Sequence, residues 1–162
     1  MIVLGIDPGI SGGWAIIDGN EVACGDLPTY DKTINAYELS DIIKAHNIGM
    51  AAVERVHLMP GQGISSGGKF MKAYGMCLGV IAAQMIPVKH PTPMKWKRDL
   101  ALTPAPSHLS KPQQTTWKKE QARHVASDLY PRFAHMWARK KDHNRAEAVL
   151  IATWVIKCGN SN

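Results

Sequence analysis

Near the N-terminus, the pattern of apolar and polar positions predicts three strands in succession. Residues 2–6 are a nearly continuous apolar run, which is typical of a strand covered on both faces. Pro8 and Gly9 follow and are expected to end that strand in a turn. Two further apolar segments, residues 14–17 and 21–27, flank Asp18-Gly19-Asn20, a sequence typical of hairpin turns. We therefore expect an antiparallel meander at the start of the chain.

The rest of the chain alternates predicted helices with short predicted strands. Helical spacing extends over residues 31–47, 70–85 and 142–154, and a helix capped by Thr115 or Thr116 is expected to end near residue 130. Apolar strands are predicted at 50–53 and 86–88, a basic helical turn at 94–98, and loops at 55–69 and 103–114. The helix before residue 50 implies a parallel crossover. The predicted fold class is α/β, a five-stranded mixed sheet of three antiparallel and then parallel strands, flanked by helices.

Composition narrows the class of protein. We expect the 162 residues to form a single domain, 1–162, and 45% of them are hydrophobic. Lys and Arg number 19 against 13 Asp and Glu, and the net charge of +6 favours a polyanionic partner. Three widely spaced cysteines without a CxxC pair argue against a zinc site and fit a reducing compartment. No signal peptide or membrane span is predicted, so we expect a cytoplasmic protein without a membrane partner.

Three acids stand where predicted elements begin or end. Asp7 ends the first strand and Glu54 ends the fourth, so parallel pairing would place both at one edge of the sheet, where sites of α/β proteins lie. Neighbouring strands are ~4.8 Å apart, so the two carboxylates could share a cation. Glu147 lies near the start of the last helix. The candidates for a further ligand are Asp142, His143 and Asn144.

An oxygen-rich set with one imidazole suits Mg²⁺, or alternatively Mn²⁺, better than zinc. Two such ions ~3.5–4 Å apart can activate a water and stabilise the leaving oxygen of a phosphodiester. Each residue also has a structural alternative: Asp7 as a turn residue, Glu54 paired with Arg55, Asp142 as a helix cap, and Asn144 as solvated surface. The metal hypothesis requires that the three segments converge in space.

Three motifs resemble those of the RuvC-like Holliday junction resolvases. They are Gly-Ile-Asp-Pro-Gly at 5–9, Ala-Val-Glu at 52–54, and DHNRAEAVLIA at 142–152. The resemblance looks closest to the branch carried by phages and prophages, and segments 59–63, 93–97 and 118–120 resemble the same branch. It covers nearly the whole chain in the right order. It implies an RNase H-like fold, a homodimer, and Mg²⁺-dependent nicking of four-way or other branched DNA, in the bacterial host cytoplasm if a phage encodes it.

Carried over residue by residue, the resemblance assigns a role to each acid. Asp7 is the first-strand ligand, Glu54 the second and Glu147 the acid of the final helix. The family usually has an acid or a histidine three to four residues before that last acid. Asn144 at the three-back position departs from this, so we favour His143, with Asp142 as the alternative. The predicted catalytic residues are therefore Asp7, Glu54, His143 and Glu147, and the predicted ligands of two metal ions add Asp142.

Basic residues are the candidates for phosphate contacts. The predicted DNA-binding residues are Gln62, Lys69, Lys72, Lys95, Lys97, Lys118 and Lys119. Any one of these lysines has the alternative of a solvated basic face. We hypothesise that the loop 60–68 closes on the junction centre and places Leu58 or Met59 against an exposed base pair, whereas Trp96 is more often a core residue than a DNA-stacking one. Two like cuts related by two-fold symmetry would need two like sites, which favours a dimer.

Two other functions remain open. The glycine-rich segment 5–13 also resembles the first phosphate loop of actin-like and sugar-kinase-like phosphotransferases, although the chain is short for two such lobes and shows no second loop. Asn144 in place of the commoner acid keeps open a junction-binding protein without nuclease activity.

Overall fold

The computed structural model describes residues 1–55 and 63–158. The strands in chain order are β1 (Ile2–Asp7), β2 (Gly13–Asp18), β3 (Glu21–Asp26), β4 (Thr29–Tyr30), β5 (Thr33–Ile34), β6 (Ile48–Val53) and β7 (Val88–Lys89). Five of them form one sheet in the order β3-β2-β1-β6-β7. The first three strands pair antiparallel, and β6 and β7 extend the sheet in parallel on the other side of β1. The predicted mixed sheet is confirmed.

Helices cover both faces of the sheet. They are α1 (Ala36–Lys44), α2 (Ile64–Ala83), α3 (Pro93–Asp99), α4 (Lys111–Leu129) and α5 (His143–Cys158), with short 3₁₀ helices at Pro131–Trp137 and Lys140–Asp142. Within the described ranges, no helix combines the length and hydropathy that a bilayer crossing requires.

A small hairpin of β4 and β5 lies where a helix was predicted to start. Asp31 and Lys32 form its turn with φ angles of 45° and 56°. This left-handed conformation cannot continue a right-handed helix. The predicted helix start at residue 31 is therefore wrong. Helix α1 begins at Ala36, after Asn35, whose side-chain oxygen accepts a hydrogen bond of 3.3 Å from the N–H of Glu38.

Helix α2 begins earlier than its glycine content predicts. The loop prediction for 55–69 is wrong from Ile64 onward, because this segment is already helical. Buried Ala73, Cys77 and Ile81 bind α2 to the sheet, and such packing outweighs the poor helix propensity of glycine. The remainder of that loop, with Leu58, Met59 and Gln62, lies outside the described residues. The closing-loop hypothesis therefore stays a prediction.

Helix α4 also begins before its predicted start. Ser110 precedes the helix and its backbone N–H donates a hydrogen bond of 2.9 Å to Oε1 of Gln113. This is a capping box, so the predicted caps Thr115 and Thr116 lie inside the helix instead. The predicted loop consequently ends at residue 110 and not at 114.

The sheet separates two apolar layers. On one face, β-strand residues such as Leu4 and Ile6 pack with α1 and α2. On the other face, Val3 and Ala15 pack with α5, which is in turn covered by α4 and by the buried Trp137. Because β1 is covered on both sides, its continuous apolar pattern has a direct cause.

Candidate active site

The sheet places the first two acids side by side. Strands β1 and β6 are parallel neighbours, with Ile6 paired to Val53. The pairing continues one residue further, because the N–H of Glu54 donates a hydrogen bond of 3.1 Å to the carbonyl oxygen of Ile6. Asp7 and Glu54 therefore stand at the same edge of the sheet.

Two glycines allow α5 to bring the third acid to this edge. A Cβ on Gly5 would lie 2.2 Å from the carbonyl oxygen of Ala148, and one on Gly13 would lie 2.5 Å from that of Asn144. No side chain fits in either space, so α5 crosses β1 and β2 with its backbone against theirs. Glu147, the residue before Ala148, is thus held beside the end of β1, and it lines the same cleft as Asp7.

Polar contacts hold the first turn of α5 against the sheet. The side-chain amide of Asn144 donates a hydrogen bond to the carbonyl oxygen of Ser11, in the loop after β1. The guanidinium of Arg145 forms two hydrogen bonds of 2.7 Å to the carboxylate of Asp26 at the end of β3. Asn144 therefore tethers the helix, which explains an amide at this position.

The charges of the three acids act on one another. Burial raises the pKa of Asp7 well above its usual value, and the charges of Glu147 and Glu54 raise it further. Lys97 and Lys119 oppose this shift. Burial also raises the pKa of Glu54, with a further contribution from Glu147. The three carboxylates thus repel one another in a partly buried place, which is an environment that a cation would stabilise.

Two residues of α3 hold the carboxylates in place. The indole Nε1 of Trp96 donates a hydrogen bond of 2.7 Å to Oε1 of Glu54, and this bond lowers the Glu54 pKa against the effect of burial. Nζ of Lys97 lies 3.0 Å from Oε1 of Glu147 and 4.9 Å from the centre of the Trp96 ring. Burial alone would lower the pKa of Lys97, but Glu147, Glu54 and Asp7 together raise it. Lys97 is therefore a cation inside the acidic group.

Asp142 and His143 differ in what their side chains contact. The buried carboxylate of Asp142 accepts two hydrogen bonds from Arg139, of 2.8 and 3.1 Å, and this pairing holds its pKa below the usual value. Nδ1 of His143 lies 3.1 Å from the carbonyl oxygen of Lys140, so Nδ1 carries the proton and Nε2 remains as the ring nitrogen that could bind a metal. The geometry therefore favours His143 over Asp142 as a ligand.

Two of the acids, Asp7 and Glu147, open onto a large cleft that lysines also line. The cleft has a volume of about 870 Å³ and is lined by Asp7, Glu147 and His143 together with Lys69, Lys119 and Lys141. Across residues 1–55 and 63–158, however, no three His, Cys, Asp or Glu side chains stand in an arrangement that would hold a metal ion as they are.

Comparison with solved structures identifies the fold. No protein-family model and no curated protein sequence matches the chain. Thermus thermophilus RuvC, solved in complex with a Holliday junction substrate, matches with a TM-score of 0.65 at 18% identity, over 98% of this chain and 94% of that one. The chain has the fold of RuvC. A second structure of T. thermophilus RuvC matches with a TM-score of 0.58 at 18% identity, over 98% and 97% of the two chains.

A eukaryotic resolvase has the same RuvC-like fold. The yeast mitochondrial Holliday junction resolvase Ydc2 matches with a TM-score of 0.53 at 13% identity, over 93% of this chain and 77% of that one. The structural neighbours are thus Holliday junction resolvases, and the predicted RNase H-like fold class is confirmed. Assignment to the phage branch stays a prediction.

On this RuvC-like fold, the predicted DNA-binding lysines occupy different surroundings. Lys69 and Lys119 line the cleft, whereas Lys72 is exposed on α2 and Lys118 lines a separate cavity between α3 and α4. Lys95 is paired instead with Asp99, at 3.2 Å. Gln62 lies outside the described residues. Their roles in DNA binding stay predictions.

Sequence reasoning missed three contributions to the candidate site and its cleft. Lys97, predicted as a phosphate contact, lies among the acids. Trp96, expected in the core, is buried there but also donates to Glu54. Lys141 was not a candidate, although it lines the cleft. The available signal was the basic segment 95–98, in which alternate residues of a short helix face opposite ways: Lys95 toward Asp99 and Lys97 toward the acids.

Proposed function

We propose that the protein is a metal-dependent, structure-selective endonuclease that nicks Holliday junctions or other branched DNA. The observation that carries this proposal is the convergence of Asp7, Glu54 and Glu147 at one edge of the sheet, in a fold whose solved neighbours are Holliday junction resolvases. The resolvase from T. thermophilus was solved with a junction, which makes branched DNA the natural substrate class to test here.

The donor set fits hard divalent cations. Asp7, Glu54 and Glu147 supply carboxylate oxygens, and Nε2 of His143 supplies one imidazole nitrogen at the rim of the same cleft. When bound, two Mg²⁺ or Mn²⁺ ions would supply an activated water and charge stabilisation for the leaving oxygen. Asp142 fits this role poorly, because both of its oxygens already accept hydrogen bonds from Arg139.

The protein's own residues would prepare the strand for hydrolysis. Lys69, Lys119 and Lys141 line the cleft and would neutralise the phosphates that approach the acids. Trp96 fixes the orientation of Glu54 through its indole N–H. Cutting both strands of a symmetric junction would require two such clefts, so we propose that the protein acts as a homodimer.

Substitution of Asp7 tests the proposal directly. We expect Asp7→Asn to abolish nicking of a four-way junction with Mg²⁺ or Mn²⁺ while leaving junction binding in EDTA within about twofold of the wild type. Asp18→Asn is the matched control, because it makes the same chemical change at an exposed residue of the β2–β3 turn. Nicking that survives in Asp7→Asn would reject the assigned site.

A second function has one observation in its favour. The described residues form no ready metal site and Glu147 is paired with Lys97, which is what a junction-binding protein without nuclease activity would show. Wild-type protein that binds four-way junctions tightly but stays inert with each divalent ion would establish this function instead.

A further inference from the structure

A second pocket adjoins the cleft, and it lies between α4 and the 3₁₀ helix Lys140–Asp142. Its volume is about 340 Å³, near the lower end of the range of about 300–1,000 Å³ typical of ligand pockets. Lys119, Arg123, Lys140, Lys141 and His143 line it. We call it the α4 pocket. It shares Lys119, Lys141 and His143 with the cleft, so a strand in the cleft would pass its mouth.

The α4 pocket carries an excess of positive charge. Four of its lining residues are Lys or Arg, and Glu120 is the one acid that lines it. Glu120 can neutralise only one of these four cations. Its Oε1 lies 3.7 Å from Nζ of the exposed Lys140, so even this ion pair is weak. With the residues that the structure describes, Lys119 and Lys141 form no ion pair within 4.0 Å. Such a pocket favours an anionic occupant.

The guanidinium of Arg123 is held at the wall of this pocket. Its Nη1 donates a hydrogen bond of 2.6 Å to the carbonyl oxygen of Ala138, which fixes the guanidinium against the segment after α4. Its Nε is buried, so Arg123 acts on an occupant of the pocket mainly through its positive charge.

We propose that the α4 pocket binds one backbone phosphate of the DNA strand, adjacent to the phosphate at the acids. This inference rests on the proposed function, since it assumes that a DNA strand lies in the cleft. The positive charge of the Arg123 guanidinium attracts the phosphate, whose oxygens accept charge-assisted hydrogen bonds from Nζ of Lys141. A phosphate held there sets the register of the strand, so that the next phosphate faces Asp7 and Glu147.

The salt dependence of binding tests this pocket without any cleavage. We measure the affinity for a four-way junction in EDTA from 0.1 to 1 M KCl, for wild type and Arg123→Gln. Loss of one phosphate contact reduces the steepness of the plot of log K against log[salt] by about 0.9. The ratio of wild-type to variant affinity is then about eightfold larger at 0.1 M salt than at 1 M salt. Arg123→Lys keeps the charge and should keep most of the slope.

Two further variants make the result decisive. Arg132→Gln is the matched control, because Arg132 is exposed and pairs with Glu21 away from the pocket, and its slope should equal that of the wild type. Lys140→Gln removes a second cation, one that lines the α4 pocket but not the cleft, and it decides the question if Arg123→Gln does not fold. Lowered slopes for Arg123→Gln and Lys140→Gln support the pocket, and slopes equal to that of Arg132→Gln overturn it.

The outcomes separate this inference from the proposed function. Wild-type nicking together with unchanged slopes in the pocket variants rejects the pocket alone. Lowered slopes in a protein that never nicks would reject the nuclease but retain the pocket as a DNA phosphate site. Wild-type protein that does not bind branched DNA overturns both.

Discussion

Nζ of Lys97 lies 3.0 Å from Oε1 of Glu147, inside the group of acids that we propose to bind divalent ions. In this position the lysine partly neutralises the charges that raise the pKa values of Asp7 and Glu54. A divalent ion would have to compete with Lys97 for Glu147. The ion pair therefore sets both the stability of the site without metal and its affinity for metal.

Substitution of Lys97 should change these two properties in opposite directions. We expect Lys97→Gln to lower the stability of the protein in EDTA by about 1 kcal/mol, because the carboxylates lose their internal counter-charge. The same variant should reach its half-maximal thermal shift at a lower Mg²⁺ concentration than the wild type. Lys95→Gln is the control from the same helix, since Lys95 pairs with Asp99. An unchanged Mg²⁺ midpoint would show that Lys97 does not compete with the ion.

The raised pKa of Asp7 predicts how stability depends on pH. Burial and the neighbouring acids raise this pKa in the folded protein, so the folded state binds more protons than the unfolded state between the two pKa values. The contribution of Asp7 to the stability of the metal-free protein should therefore be most favourable below the unfolded value, about 3.9, and should be lost as pH rises through the folded pKa. The measurement is the difference in Tm between wild type and Asp7→Asn in EDTA, as a function of pH.

At pH 7, Asp7→Asn should raise the Tm by a few degrees, given about 2–4 °C for each 1 kcal/mol in a chain of this size. The difference should shrink as pH falls and vanish at about pH 3 and below, where Asp7 is protonated in both states. Asp18→Asn, at an exposed position, should show no such trend. A Tm that drops in Asp7→Asn at neutral pH would contradict the assigned repulsion.

The Trp96–Glu54 hydrogen bond predicts a shift in the pH dependence of nicking. The bond lowers the Glu54 pKa, so Trp96→Phe should leave that pKa higher and move the acidic limb of the pH–rate profile to higher pH. Stability should also fall by about 1–2 kcal/mol, because a fully buried ring shrinks and a buried acceptor loses its donor. A loss of rate with an unshifted acidic limb would assign Trp96 a packing role only.

The close packing of β1 against α5 at Gly5 should be necessary for the site. Gly5→Ala places a methyl group 2.2 Å from the carbonyl oxygen of Ala148, so β1 and α5 must separate. We expect the free energy of unfolding to fall by about 1–3 kcal/mol or more, because the added methyl group overpacks this contact. Nicking should also be reduced, because Glu147 moves away from Asp7. Gly75→Ala is the matched control. Its Cβ would meet nothing within 4 Å on α2, so the same substitution there should stabilise by about 0.5–1 kcal/mol. Equal effects would exclude close packing as the reason for Gly5.

Much of the fold was determined by the local pattern of the sequence. The continuous apolar run of β1, the hairpin turn with Gly19 at a φ of 57°, and the acids that follow β1 and β6 all have local signatures. Strand pairing then follows from connection rules, because a helix between two strands favours a parallel crossover. The ends of helices were predicted less well where tertiary packing outweighs the helix propensity of the residues. The glycine-rich start of α2 is an example, because it was predicted as a loop.

The composition of the candidate site depended on tertiary structure. Sequence spacing left Asp142, His143 and Asn144 as candidates for a further ligand, and the family resemblance favoured His143. Only the packed chain brings the Asn144 amide to the carbonyl oxygen of Ser11, in the loop after β1. Lys97 and Lys95 are two residues apart in one basic segment, yet one lies among the acids and the other pairs with Asp99. The reason is physical: local sequence sets which residues share a face, but contacts between distant segments decide what that face meets.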